Sequence, residues 1–307
     1  MTVYFIGAGP GDPELITIKA QRLINACPVI LYAGSLVPRA VLADVEESAE
    51  QIIDTVSIDL DEIIEHIKVA HKAGKNVARV HSGDPSLYGA IGEQIRRLNE
   101  LGIDFEIIPG VTATSASAAW LGKELTLSGV SQTIILTRYE GKTPFPERER
   151  LPELARSGAT LIIHLGITRI HKIVEELIPH YGENCPIAVC YRTSWPDQDK
   201  VEGTLSDIVE KVRAKKFTRT TLILVGHVLK TDTFDDSYLY DEKQAHVYRP
   251  KVKPKVPRTV ARLAPKKEQR EESDTPIMVE GSKASALGDS ENETVVQSYI
   301  DQNLTDS

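Results

Sequence analysis

The chain has 307 residues, 41% of them hydrophobic, and a formal net charge of −8, which disfavours general nucleic-acid binding. It is long enough for two compact α/β domains, and no run approaches the roughly 18 apolar residues of a membrane span. No basic or apolar leader precedes the first strand, and Cys27, Cys185 and Cys190 show no Cys-x-x-Cys spacing, so the expectation is a reduced cytoplasmic protein with buried or idle thiols.

Short β-branched runs predict strands at 3–6, 28–32, 76–81, 104–108, 133–138, 159–164, 186–191 and 220–226. Helical patterns lie between them near 14–26, 59–73, 86–101, 112–120, 168–180 and 205–214. In 59–73, for instance, Leu60, Ile63, Ile64, Ile67 and Ala70 share one face. This alternation predicts an α/β fold with mostly parallel sheets covered by helices. The polar, proline-bearing stretch Arg138–Pro152 divides the folded part into an N-terminal α/β domain at 1–130 and a C-terminal α/β domain at 131–229. Beyond it, residues 249–267 hold eight Lys or Arg and no acid, and 268–307 are acidic and polar. Too few large apolar residues remain to offset chain entropy, so 230–307 reads as a disordered, partly self-neutralising tail.

The first strand runs into Gly7-Ala8-Gly9-Pro10-Gly11-Asp12-Pro13. A dinucleotide fingerprint needs a third glycine where Asp12 stands, and no Gly-Lys-Ser/Thr follows to make a P-loop. A carboxylate there would also repel a pyrophosphate from the helix N-terminus. Asp12 reads instead as an N-cap with Pro13 at the first helical position, which argues against an NAD- or FAD-dependent oxidoreductase. The strand at 76–81 ends in Ser82-Gly83-Asp84-Pro85-Ser86-Leu87-Tyr88-Gly89, where Asp84 either accepts from a ligand or caps a turn. The strand at 104–108 leads through Pro109-Gly110-Val111-Thr112-Ala113 into a helix of small side chains, which either packs tightly or leaves room for a flat ligand.

In order and spacing these three segments resemble the tetrapyrrole methylases, S-adenosylmethionine-dependent enzymes of two α/β domains, over about residues 1–229. Within that family Tyr32-Ala33-Gly34-Ser35-Leu36-Val37, Thr137–Pro144 and Tyr191-Arg192-Thr193-Ser194-Trp195-Pro196 are similar to the subfamily acting at C-11 of precorrin-4 or cobalt-precorrin-4. The resemblance implies S-adenosylmethionine in the interdomain cleft, a role in cobalamin synthesis and a homodimer, with neither a protein-bound metal nor a nucleic-acid or membrane partner. By matching motif positions it places Pro10, Ser82, Gly83, Asp84, Leu87, Thr112, Ala113, Leu165, Tyr191, Thr220 and Thr221 at the cofactor. The substrate's carboxylates would meet Ser35, Arg39, Arg138 and Arg192. Arg192 departs from the uroporphyrinogen methylases, which carry glycine before the threonine, and the tail has no counterpart in the family. Methylases of other precorrins or of uroporphyrinogen III, and diphthine synthase, are the alternatives. Tyr139, Glu140 and Tyr191 are the candidates for a general base, while His164 and His171, seven apart, read as structural.

Overall fold

The computed structural model describes residues 1–141, 143, 145–231 and 234–237, all within a compact unit spanning Met1–Lys251. Most of the tail expected at 230–307 lies outside the described residues, as do Lys142 and Pro144 of the Thr137–Pro144 motif. Among the described residues the strands form two five-stranded sheets. No helix there is long and apolar enough to cross a membrane.

The first sheet contains β1 (Thr2–Gly7), β2 (Val29–Tyr32), β3 (Gln51–Asp54), β4 (Val77–His81) and β5 (Asp104–Ile108). Its order is β3-β2-β4-β1-β5 and all its pairings are parallel, so the C-terminal ends of β4, β1 and β5 lie side by side. Alternation along each strand feeds two cores. On one face Ile6, Ile30 and Val80 pack with Ile24 of α1 (Ile18–Ala26) and with Leu42 of a 3-10 stretch at Arg39–Val45. On the other, Val3, Phe5 and Leu31 meet Ile64 and Ile67 of α2 (Leu60–Lys72) and Leu98 of α3 (Ile91–Glu100). α2 starts at a capping box in which Asp59 and Glu62 each accept the other's backbone N–H.

The second sheet holds β6 (Ile134–Arg138), β7 (Thr160–His164), β8 (Pro186–Tyr191), β9 (Asp199–Thr204) and β10 (Thr221–Val225), in the order β6-β7-β10-β8-β9. Only β6–β7 is parallel there. The molecule is mostly parallel through its first sheet. The second departs because β8 turns straight back into β9, and β10 enters between β7 and β8 against both. One face is covered by α5 (Leu151–Ala155), α6 (Ile170–Tyr181) and α7 (Ile208–Lys215), with Leu161, Ile173, Ile208 and Ile223 in its core. The other face receives α4 (Ala113–Leu121), whose Ala118 packs with Ile162, Ala188 and Leu224. α4 follows β5 of the first sheet yet packs on the second, and its small side chains permit that close approach.

Candidate active site

The glycine turns after β1, β4 and β5 meet at one point, because their strands are neighbours in register: Gly7 faces His81 and Ile6 faces Ile108. Gly9 and Gly83 exchange backbone hydrogen bonds of 2.7 and 3.3 Å, and Gly9 holds φ at +76°. A Cβ on Gly7 would lie 2.6 Å from the Gly83 carbonyl oxygen and 2.7 Å from the Gly110 Cα, so backbone rests directly on backbone. Asp84 ties the arrangement together. One carboxylate oxygen accepts from Ser86 N at 2.8 Å and the other from Gly110 N at 3.0 Å. Asp12 caps, as its sequence context predicts, accepting from Glu14 N at 2.9 Å, although only a 3-10 turn at Pro13–Leu15 follows it. The helix proper starts at Ile18 behind the Thr17 cap.

A strap at 192–198 of the second half grips this turn cluster. Trp195 Nε1 donates to the Pro10 carbonyl at 3.0 Å, and its indole lies where a Gly11 Cβ would be, 2.2 Å from that position. Asp12 N donates to Ser194 Oγ at 3.0 Å, and the buried Thr193 and Ser117 hydroxyls bond at 2.9 Å. Arg192 stacks on Trp195, 4.0 Å from the ring centroid, and pairs with Asp197 at 3.0 Å.

Between the turn cluster and the second sheet opens a cavity of about 280 Å³. Of the residues expected from the sequence, Pro10, Ser82, Ala113, Leu165, Arg192, Thr220 and Thr221 line it together. Gly83, Asp84 and Thr112 stand behind that lining, Thr112 as the α4 N-cap accepting from Ser115 N at 3.2 Å. Tyr191 also lies outside the lining, its ring stacked on Phe217 at 4.9 Å, and Leu87 is exposed in the loop after β4. Ser35 is exposed beside Leu36, which does line the cavity. Arg39 points elsewhere, its side chain 77% exposed and paired with Glu46. Arg138 lines a separate cavity with Tyr139, Glu140 and Glu176, its guanidinium 4.9 Å from the Phe145 ring. There Tyr139 donates to Glu176 at 2.7 Å, and burial together with that bond pushes its phenol far up.

The strain in the backbone gathers here as well. Leu165, Arg192 and Thr220 of the lining, and Tyr88 and Ser194 beside it, hold positive φ without being glycine, as ligand-binding sites often do. Sequence reasoning did not single out Arg219 or the strap contacts of Trp195, and it read His164, which also borders the cavity, as structural. Trp195 was 185 residues from its partner. Among the lining residues no carboxylate appears, and the charges are Arg192 and Arg219. In a chain of net charge −8, a lining without acid makes the cleft locally more favourable to anions than the surface around it.

Comparison with known proteins identifies the family and the fold. The model of the tetrapyrrole (corrin/porphyrin) methylases matches residues 2–209. The precorrin-4 C(11)-methyltransferase of Pseudomonas aeruginosa is 64% identical over 250 residues, 81% of this chain and 99% of that protein. Among solved structures, a cobalamin biosynthetic enzyme, cobalt precorrin-4 methyltransferase, superposes with a TM-score of 0.72 at 40% identity, covering 75% of this chain and 96% of the other. The uroporphyrin-III C-methyltransferase of Thermus thermophilus, complexed with S-adenosyl homocysteine, gives a TM-score of 0.62 at 31% identity, covering 75% and 99%.

Proposed function

The chain belongs to the tetrapyrrole (corrin/porphyrin) methylases, and from that premise we propose that it transfers a methyl group from S-adenosylmethionine to C-11 of precorrin-4 in cobalamin synthesis. The observation that carries this reading is the acid-free lining of the cleft. It combines apolar walls and several hydroxyls, which suit a nucleoside, with two arginines, which suit a carboxylate-fringed ring. The cleft fits the methyl donor on its own evidence. The small residues Pro10, Ser82 and Ala113 line it in front of the tightly packed glycine turns, and Leu165 stands 72% exposed on a strained backbone.

Pro10, Ser82, Ala113, Leu165, Thr220 and Thr221 would hold the donor. When bound, S-adenosylmethionine supplies a methyl group already activated on sulfur. The residues of this chain then have three tasks. Ser82 and the threonines offer hydroxyls that fix orientation, so that donor and acceptor meet in line. Leu36, Leu165 and Ile167 present apolar surface that displaces water from the reacting region. Arg192 and Arg219 meet the carboxylates of the ring, with Arg192 pre-set by its stack on Trp195.

The test is methyl transfer from labelled S-adenosylmethionine to precorrin-4, metal-free and cobalt-loaded, with product mass and methyl position determined. One added methyl at C-11 supports the reading, and the preferred metal state assigns the substrate form. Methylation at another carbon, or of uroporphyrinogen III in preference, would overturn the substrate while leaving the family intact.

A further inference from the structure

Beside the cleft lies a second cavity of about 280 Å³, lined by the start of α6 and the C-terminal part of α7. The two cavities share Ile167, Thr168 and Thr218 in their walls, so they adjoin. Buried Ile167 and Val212 and half-buried Phe217 supply apolar surface to the second one. Phe217 is held by its stack on Tyr191, with ring planes at 10°. The polar side chains there include His171, Arg213 and Lys216, and no carboxylate lines the cavity; Glu175 and Glu210, on the same two helices, fall outside it. α7 divides its cations accordingly. Lys211 pairs with Asp207 and Lys215 with Asp199, each at 2.7 Å. Arg213 and Lys216, which border the cavity, have no ion-pair partner among the described residues, and neither has Arg219 on the cleft side of Thr218. The helix dipole favours cations at this end, where Lys216 is the C-cap at φ +58°. That attraction serves Lys215 equally, yet Lys215 has its acid, so the dipole does not explain why the cavity side is left without counter-charge. Apolar walls beneath such cations are the complement of a short alkyl chain that ends in a carboxylate.

Resting on the substrate reading above, we propose that this second cavity receives one carboxylate arm of the tetrapyrrole, held by Arg213 and Lys216, while Arg219 meets a neighbouring arm in the cleft. Arg213 and Lys216 are then specificity-determining residues that stand outside the donor's site. The double variant Arg213→Gln/Lys216→Gln removes both charges from the cavity. Lys211→Gln/Lys215→Gln removes the same charge from the paired side of the same helix and serves as the control. Two quantities are read for each: precorrin-4 binding without methyl donor, from its visible absorbance, and S-adenosyl homocysteine binding by calorimetry. Arg213→Gln/Lys216→Gln should weaken tetrapyrrole binding about tenfold and leave S-adenosyl homocysteine within about twofold, whereas the control should leave both within about twofold. Screening gives a further readout that a merely structural role would not move: the tenfold gap between parent and cavity variant should close at about 1 M salt. Undiminished tetrapyrrole binding in Arg213→Gln/Lys216→Gln overturns the proposal while the substrate reading stands. Equal loss in the two double variants also overturns it, reducing the effect to the overall field of the protein, and so does equal loss of both ligands. A parent enzyme that binds no precorrin-4 overturns the proposal and the substrate reading together.

Discussion

A Cβ on Gly110 would lie 2.1 Å from the Gly83 carbonyl oxygen and 2.9 Å from the Gly7 Cα, and neither neighbour is a flexible side chain that can step aside. Gly110→Ala should therefore destabilise the protein by about 3 kcal/mol, at the upper end of overpacking costs. In α3 the opposite holds. Gly92 has nothing within 4 Å of its virtual Cβ, and Gly92→Ala should stabilise by about 0.5–1 kcal/mol through helix propensity. Thermal unfolding of the pair separates the two cases, and a Gly110→Ala protein as stable as the parent would mean that the three turns are not in contact. Arginines divide in the same way. Arg39 is paired with Glu46 away from the cavity, whereas Arg219 lines it and has no ion-pair partner among the described residues. We expect Arg39→Ala to leave the tetrapyrrole KM within about twofold and Arg219→Ala to raise it about fivefold or more, the worth of one charge-assisted contact. Steady-state kinetics with saturating methyl donor decides between them. Equal effects would remove the distinction that the cavity draws.

Among the elements, the strap at 192–198 is the one whose loss should reach the cofactor without touching it. Its indole replaces the side chain that Gly11 lacks and fixes the Pro10 carbonyl, and Pro10 lines the cleft. Trp195→Ala should cost about 2 kcal/mol, less than for a fully buried tryptophan, and weaken S-adenosyl homocysteine about tenfold. Trp195→Phe keeps a ring but loses the N–H donor, a penalty of about 1 kcal/mol. Calorimetry on both variants checks the order, and undiminished affinity in Trp195→Ala would detach the strap from the pocket. The sequence made some of these elements legible and hid others for physical reasons. β1 and β4 announce themselves because a buried parallel strand is a largely apolar run ending in a turn, while the edge strand β5 shows through its alternation and the Pro109-Gly110 turn that follows it. The cap at Asp12 is readable because capping is local. β3 and β9 escaped because edge strands need no apolar run: Gln51-Ile52-Ile53-Asp54 is short, and Asp199–Thr204 is largely polar. α3 begins at Ile91 and not near 86, since the loop before it spends its residues on the Asp84 turn and on left-handed Tyr88 and Ala90. The antiparallel entry of β10 is a property of strand order, which periodicity along one strand does not encode. For the same reason the sequence located much of the cleft lining but neither the separate cavity of Arg138 nor the remote grip of Trp195.

At the scale of the whole molecule, burial lowers the pKa of two histidines among the described residues, and this sets how stability responds to acid. Burial lowers the His81 pKa to about 3, with buried Arg79 adding repulsion, and burial lowers that of His164 to about 4. In the unfolded chain both take up protons near the ordinary value of about 6.5. Below that pH the unfolded state binds more protons than the folded state, so stability rises with pH in this range and is lost as pH falls. The contribution is complete above about pH 6.5 and drains away toward pH 3 for His81 and pH 4 for His164. Each fully shifted group contributes about 1.4 kcal/mol per pH unit, so His81 alone should cost about 2 kcal/mol between pH 6.5 and 5. His164 should add less because its ring is partly exposed to the cleft. The carboxylates held low by lysines, Asp199 and Asp207, work in the same direction but only nearer pH 4, which leaves the upper window to the histidines. Denaturant unfolding at pH 7.5, 6.5, 5.5 and 5 should show about 2–4 kcal/mol lost across the series. His164→Leu should shed its part of that slope while keeping the part that belongs to His81. A flat profile down to pH 5 would mean that His81 is not sealed beneath the first sheet. A slope unchanged in His164→Leu would place the acid sensitivity entirely at His81, beside Arg79.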